Sequence, residues 1–183
     1  MPTTFGRFRT IPAKSAAQGY SLTMGRFLRA LVLVGAGTAA ATGLSQVLTG
    51  SDVRRTYESL AKPPWAPPPQ VFAPVWFSLY GLLIVATARV VSQEDNRAKS
   101  RQLALYATQM VANAVWTPLF FRFRWYKAAE IDAALLTVLV SALSASYALR
   151  SRSAAAMLAP VIAWCAFATM LTHEIRMRNE RRF

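Results

Sequence analysis

Charged side chains are scarce, at 16% of the 183 residues against about 25% in an ordinary soluble domain. They are also missing from long blocks: no Asp, Glu, Lys or Arg falls within residues 30–51, 63–88, 102–121, 133–149 or 153–173, runs of 22, 26, 20, 17 and 21 residues. Each run is close to the roughly 20 residues that carry a helix across a bilayer. Soluble enzyme folds are excluded, because the remaining chain is too short to enclose five such segments as a buried core. The runs are also too long and too evenly apolar for the alternating strands of a barrel. The direct reading is all-α, an integral membrane bundle of five transmembrane helices.

Reactive side chains are equally few. One cysteine, Cys165, permits no internal disulfide and cannot make a thiolate metal site by itself. One histidine, His173, excludes two-histidine metal or haem ligation within a single chain. No nucleophile-and-base pair, phosphate loop or metal-ligand spacing occurs, so no metal site is expected. Acids number 8 against 21 basic residues, a net charge of +13. In a soluble chain that excess suggests nucleic acid. Beside apolar helices it suits anionic headgroups, so membrane lipid, and not nucleic acid, is the expected partner.

Residues 1–26 carry Arg7, Arg9, Lys14 and Arg26 and no acid, as expected of a mobile basic extension; an organellar targeting sequence has a similar composition. The membrane domain is expected over 27–179, with helices near 27–48, 70–91, 103–121, 128–149 and 154–174, and a charged tail over 180–183. Small residues recur at four-residue spacing as Gly35, Ala39 and Gly43 on the first helix and Ala104, Thr108 and Ala112 on the third. Such stripes let helix backbones approach closely in lipid, and the second is a candidate dimer interface. Glu130 and Asp132, early in the fourth helix, suit the positive end of its dipole. Between the first two helices runs Lys62-Pro63-Pro64-Trp65-Ala66-Pro67-Pro68-Pro69, where five prolines fix φ and remove five amide donors. This stiff strap is either a rigid connector or a lid.

Five crossings put the termini on opposite sides. We call the N-terminal side A; side B then receives the strap, the loop at 122–127 and the C-terminal tail. At 1.5 Å per residue, Trp76, Trp116 and Asn113 lie roughly 8–12 Å below the B surface, and Trp164 falls near mid-helix. Trp65 and Trp125 sit at the B surface, where an aromatic belt explains them. Trp164 is too deep for a belt, and its indole N–H needs an interior partner. Gln109 and Asn113, one turn apart, must face inward. Interhelical hydrogen bonding and ligand contact would both satisfy them. An aromatic, amide-lined interior under a stiff strap suits a planar, mostly apolar ligand with a few polar edges.

The stretch Tyr57-Glu58-Ser59-Leu60-Ala61-Lys62-Pro63-Pro64-Trp65-Ala66-Pro67-Pro68, with Val71-Phe72-Ala73-Pro74-Val75-Trp76 and Leu79-Tyr80, resembles the signature of the tryptophan-rich sensory protein or translocator protein family (TspO/MBR, the peripheral benzodiazepine receptor family). Leu105-Tyr106 with Gln109, Asn113, Trp116, Pro118, Phe120 and Phe121 matches its third helix. Asp132, then Pro160, Trp164, Phe167-Ala168-Thr169 and Leu171, match its fourth and fifth. The resemblance implies a five-helix, multi-pass protein, commonly a homodimer, in a bacterial inner membrane or, alternatively, an organellar outer membrane. It further implies non-covalent binding of porphyrins, protoporphyrin or haem, and in some members of sterols or benzodiazepine-type drugs. The implied ligand-binding residues are Pro63, Trp65, Trp76, Asn113, Trp116, Phe120, Asp132, Trp164, Ala168 and Leu171. Trp76 and Trp164 correspond to the pair implicated where family members alter porphyrin in light, and would be catalytic only in that case.

The implied role is a receptor or sensor that modulates porphyrin handling or stress regulation. A light- and oxygen-dependent porphyrin-degrading enzyme and a porphyrin or lipid transporter are the alternatives. Departures bear on the ligand. Thr56 replaces a family tryptophan, Ala128 stands where animal members carry tryptophan, Val161 replaces a tyrosine and Thr172 an asparagine; they weaken the case for drug-like ligands more than for porphyrin. His173 and Glu174 occupy the place of the tyrosine in the family's sterol motif, which argues against specific sterol binding. Eleven Lys and Arg on side A against ten on side B leave orientation to the resemblance, which places side B in the cytoplasm.

Overall fold

Proline and glycine set most of the helix ends. The structure, a computed structural model, describes residues 13–93 and 96–180. Helix α1 (Ala13–Thr49) stops at Gly50, whose φ of 86° is open to glycine without strain and whose N–H returns to the Gln46 carbonyl at 3.0 Å. A short α2 (Val53–Ser59) leads into the strap, which ends in a 3₁₀ turn at Pro69–Val71 that opens α3 (Phe72–Val91). Helix α4 (Asn96–Thr117) meets Pro118, which has no N–H to continue the ladder, and the chain widens into a π turn at Pro118–Arg122. Arg124, at φ 56°, reverses the chain into α5 (Tyr126–Ala148). The last crossing is split by Pro160 into α6 (Arg152–Met157) and α7 (Ala159–Glu180). Among the described residues there is no strand.

Two boundaries differ from expectation. Helix α1 begins at Ala13, well before residue 27. Arg26 and Arg29 mark the end of the apolar run, but no proline stands between 13 and 26 to end the helix itself. Residues 13–26 of the expected extension are thus helical, and residues 1–12 lie outside the described residues. Helix α7 continues to Glu180 and not 174, because its charged end is paired along the helix: Arg178 with Glu174 at 3.1 Å and Arg176 with Glu180 at 2.8 Å.

Four segments have the length and apolarity of membrane spans: Leu22–Thr49, Pro69–Val91, Tyr126–Ala148 and Arg152–Glu180. The chain is a multi-pass, all-helical membrane protein. Helix α4 is long enough for a fifth crossing but less apolar than the others, and its polarity is turned inward, with Gln102, Gln109 and Asn113 all buried. It packs against α1, α3 and α5, while α5 packs along both α4 and α7.

Within lipid, apolar side chains gain little by leaving one apolar surface for another, so helices associate through close packing and hydrogen bonds. Both are visible here. Leu83, Val140, Leu143, Leu158 and Val161 are fully enclosed. The Tyr147 hydroxyl donates to Thr87 Oγ1 at 2.8 Å, joining α5 to α3. Ser45 on α1 donates to the Ala114 carbonyl on α4 at 2.8 Å, and Thr38 pairs with Tyr106 on the same helix. These bonds decide which face of α1 is buried. Ala30, Val34, Thr38 and Ser45 point inward, whereas Ala39 and Gly43 of the expected stripe face outward. On α4, Ala104 and Thr108 are exposed but Ala112 is buried in the chain's own core, so that the outer stripe continues instead through Val111 and Val115.

Tyr147→Phe keeps the ring and removes only the α5–α3 bond. We expect a loss of about 1 kcal/mol, within the range for interhelical hydrogen bonds in membranes, read as a lowered unfolding midpoint in detergent; an unchanged midpoint would assign the α3–α5 contact to packing alone.

Candidate ligand site

The strap, the start of α3, the first half of α7 and the π turn after α4 bring rings together from four parts of the chain. Trp65, on the strap, meets Phe167 edge-to-face with ring centroids 5.9 Å apart, and Phe167 lies 5.2 Å from Trp164 on the same helix. Phe72 at the start of α3 abuts Trp164 at 6.0 Å and Tyr57 of α2 at 5.3 Å. A second group is built by the π turn: Trp116 stacks on Phe120 at 5.1 Å, and Phe121 and Tyr126 abut Phe120 at 4.8 and 5.3 Å. An ordinary helical turn would place Phe120 and Phe121 on diverging faces; the wider turn lets both pack around Trp116. The groups meet on one buried cluster of Tyr57, Phe120, Ala129, Leu171 and Ile175.

Of the residues expected at the site, Pro63 and Leu171 are buried, Ala168 and Trp164 are half-buried, and Trp65 is 45% exposed on the strap. Trp76 stands apart from these rings, one turn below Phe72, stacked on Tyr80 at 5.3 Å. Trp76 and Trp164 therefore each have their own ring partners, although both lean on the same lower core cluster. Trp125, 61% exposed and stacked on Phe123, belongs to the B surface as expected of a belt residue.

The polar groups divide into satisfied and unsatisfied. Asn113 is engaged between helices, its Oδ1 accepting from the Tyr80 hydroxyl at 2.6 Å. Gln109, one turn deeper and with no exposed surface, has neither amide atom partnered. The indole N–H groups of Trp116 and Trp164 and one carboxylate oxygen of Asp132 are likewise buried without a partner. Unmatched buried polar atoms are rare because each costs about 1–3 kcal/mol, and here two indole donors occur within the ring groups.

Neither carboxylate early in α5 makes a helix-capping bond. Glu130 instead reaches across to α7, where His173 Nδ1 lies 2.8 Å from Oε1 and Arg176 binds Oε2. His173 is thus part of the α5–α7 tie.

Side B also carries an open cleft of about 600 Å³, lined by Thr56, Ser59, Leu60, Arg124, Tyr126, Asn179 and Glu180. It lies between the end of α2, the turn before α5 and the end of α7, and no tryptophan lines it.

Comparison with known proteins places this arrangement. Residues 30–178, most of the chain, match the TspO/MBR family. The chain belongs to that family. A translocator protein from Ovis aries is 35% identical over 130 residues, covering 70% of this chain and 77% of its own length. A tryptophan-rich sensory protein from Cereibacter sphaeroides is 32% identical over 126 residues, with 69% and 78% covered, and a tryptophan-rich protein from Chlorobaculum tepidum is 30% identical over 124. The segment matched to the family, 30–178, holds the strap and all of the ring contacts above.

Phe72, Tyr80 and Phe167 stand in the sequence motifs but were not singled out as site residues. Their signal was spacing: Tyr80 is four residues from Trp76, and Phe167 three from Trp164, the separations that put side chains on one helical face. Nothing in the sequence marked Asn179.

Gln109→Leu removes the orphaned amide while keeping volume. In ligand-free protein we expect it to raise stability by about 1–3 kcal/mol, measured by thermal unfolding in detergent. A fall in stability would mean that the amide is satisfied in the folded protein.

Proposed function

We propose that this TspO/MBR protein is a five-crossing membrane receptor that takes a tetrapyrrole, protoporphyrin or haem, into the aromatic region beneath the strap. In this reading α4 is the fifth crossing, its polar face held inside the bundle. The observation that carries the binding proposal is that each ring group holds an unpartnered indole N–H, Trp116 Nε1 in one and Trp164 Nε1 in the other. A planar apolar ring system with polar edges would cover the aromatic faces and offer partners to those atoms, with stacking and burial together contributing several kcal/mol. Receptor or sensor is the role that fits, since the ring groups supply aromatic faces and indole donors, while the His173–Glu130 pair is tied to Arg176 in the α5–α7 contact. The working unit is a homodimer through the outer face of α4, where Ala104, Thr108, Val111 and Val115 line one exposed stripe.

A second reading is supported by one contact. Trp76 stacks on Tyr80, and Tyr80 is hydrogen-bonded to Asn113; a stacked indole–phenol pair is a ready electron donor to a photo-excited porphyrin, with oxygen as the oxidant.

Titration of the purified protein with protoporphyrin in the dark should give saturable quenching of tryptophan emission. Trp116→Ala and Asn113→Leu should weaken binding about tenfold or more. Trp76→Phe and Trp164→Phe should keep most of it, because an aromatic face remains, yet lose any light-driven bleaching of the porphyrin. Unsaturable quenching indifferent to all four changes would overturn the receptor reading. Saturable binding without bleaching under illumination in the unaltered protein would remove the oxidative one.

For the dimer, Thr108→Phe should shift the solubilised species toward monomer; an unchanged mass would remove the α4 interface.

A further inference from the structure

We infer that Asn179 is the latch of the strap, and that the side-B cleft it bounds is the way by which a ligand reaches the aromatic region. The latch is a geometric observation; the role of the cleft rests on the receptor reading above. Asn179 is nearly buried, at 9% exposure, near the end of α7. Its Oδ1 accepts from the Ala61 N–H at 3.1 Å, and its Nδ2 donates to the Ala61 carbonyl at 3.0 Å and to the Ile175 carbonyl at 2.7 Å. Both amide hydrogens and the carbonyl are thereby used, which fixes the rotamer against its own helix and leaves it paired with both backbone groups of one strap residue.

The other polar ties of the strap are local. The Lys62 ammonium spends its three hydrogens on the carbonyls of Tyr57, Glu58 and Leu60, at 2.7, 3.0 and 2.9 Å, closing the C-terminal end of α2. The Tyr57 hydroxyl donates to the Pro67 carbonyl at 2.9 Å, and burial pushes this phenol's pKa up, so it stays protonated and donating. These bonds weld strap and α2 into one unit, stiffened further by its prolines. Between that unit and α7, the side-chain hydrogen bonds are those of Asn179; the rest is ring contact, such as Trp65 on Phe167. Gly50, in the left-handed region just before α2, gives the unit a pivot where it joins α1.

The cleft follows the seam between the two bodies. Thr56, Ser59 and Leu60 line it from the strap unit, and Arg124, Tyr126, Asn179 and Glu180 from the bundle. Leu60 and Tyr126, which line it, also pack on the buried cluster that Phe72, Trp116 and Phe167 share, so releasing the Asn179–Ala61 pair opens the seam onto that cluster. Arg124 on the rim presents a guanidinium to the acidic edge of an anionic amphiphile. The family match covers residues 30–178 and so ends one residue before the latch.

A latch sets rates and leaves affinity nearly alone, since it holds the strap before and after the ligand passes. In stopped-flow quenching with protoporphyrin in the dark, on the full chain in nanodiscs, Asn179→Leu should raise both association and dissociation rates roughly tenfold, the scale of two lost hydrogen bonds, with Kd changed less than about threefold. Asn179→Asp keeps the acceptor for the Ala61 N–H but loses both donors, and should fall between. Hydrogen exchange gives a readout independent of any ligand: Ala61 and Lys62 amides should exchange faster in both variants, with α3 and α5 unchanged. Unchanged exchange at Ala61 overturns the latch, as does a lost affinity without faster rates. If Asn179→Leu fails to fold, the Asp variant carries both arms. If protoporphyrin binds no form of the protein, the receptor reading and the port fail together, and exchange alone decides whether Asn179 holds the strap.

Discussion

A polar group inside a bilayer has no water to turn to and must find its partner within the protein. That constraint arranges most of this molecule. It selects the face of α1 that carries Thr38 and Ser45, because their hydroxyls have somewhere to go on α4. It sets Tyr147 against Thr87 and Tyr80 against Asn113, tying α3 to α5 and to α4. Serine and threonine hydroxyls elsewhere return to the carbonyl one turn back, as Thr87 does to Leu83 and Thr172 to Ala168. Against so thorough an accounting the few unmatched atoms stand out, and two of them are the indole N–H groups of Trp116 and Trp164 within the ring groups.

Much of this was legible in the chain before folding. Blocks free of charge located the apolar spans, since a bilayer excludes charge over a fixed thickness. Asn113 and Trp164 declared themselves by being costly at their depth, and both do lie inside the bundle. The failures have a common cause. Small-residue spacing at Gly35, Ala39 and Gly43 identifies a surface that can be approached closely, but not whether another helix approaches it. Here the hydroxyls on the neighbouring face outweighed it. Glu130 looked like a cap because its helix position suits one; only the fold brings His173 and Arg176 of α7 within its reach. Helix limits slipped where charge was taken as the end of a helix, when charge ends only the apolar run.

The aromatic region owes its shape to backbone irregularities more than to the rings themselves. Pro118 converts the end of α4 into a π turn, and that extra width gathers Phe120 and Phe121 around Trp116. Pro160 divides α6 from α7, so the helix bearing Trp164 and Phe167 starts afresh. The strap's prolines hold Trp65 over Phe167 with almost no amide groups to satisfy. Three sites of missing N–H thus frame the region, each removing a hydrogen bond that lipid would otherwise require the chain to complete.

As the fifth crossing proposed above, helix α4 has a consequence for how the protein is made. A segment carrying Gln102, Gln109 and Asn113 is a poor candidate for release into lipid on its own, because each amide costs free energy until it is enclosed. Its neighbour α3 is strongly apolar and already synthesised, and the turn between them is short. The two can leave the insertion machinery as a hairpin, with Tyr80 ready to meet Asn113 at once, while Ser146 of α5 comes later to Gln102. On this view, the order of synthesis is itself a chaperone for the least apolar helix: the partner it needs first is the one that precedes it.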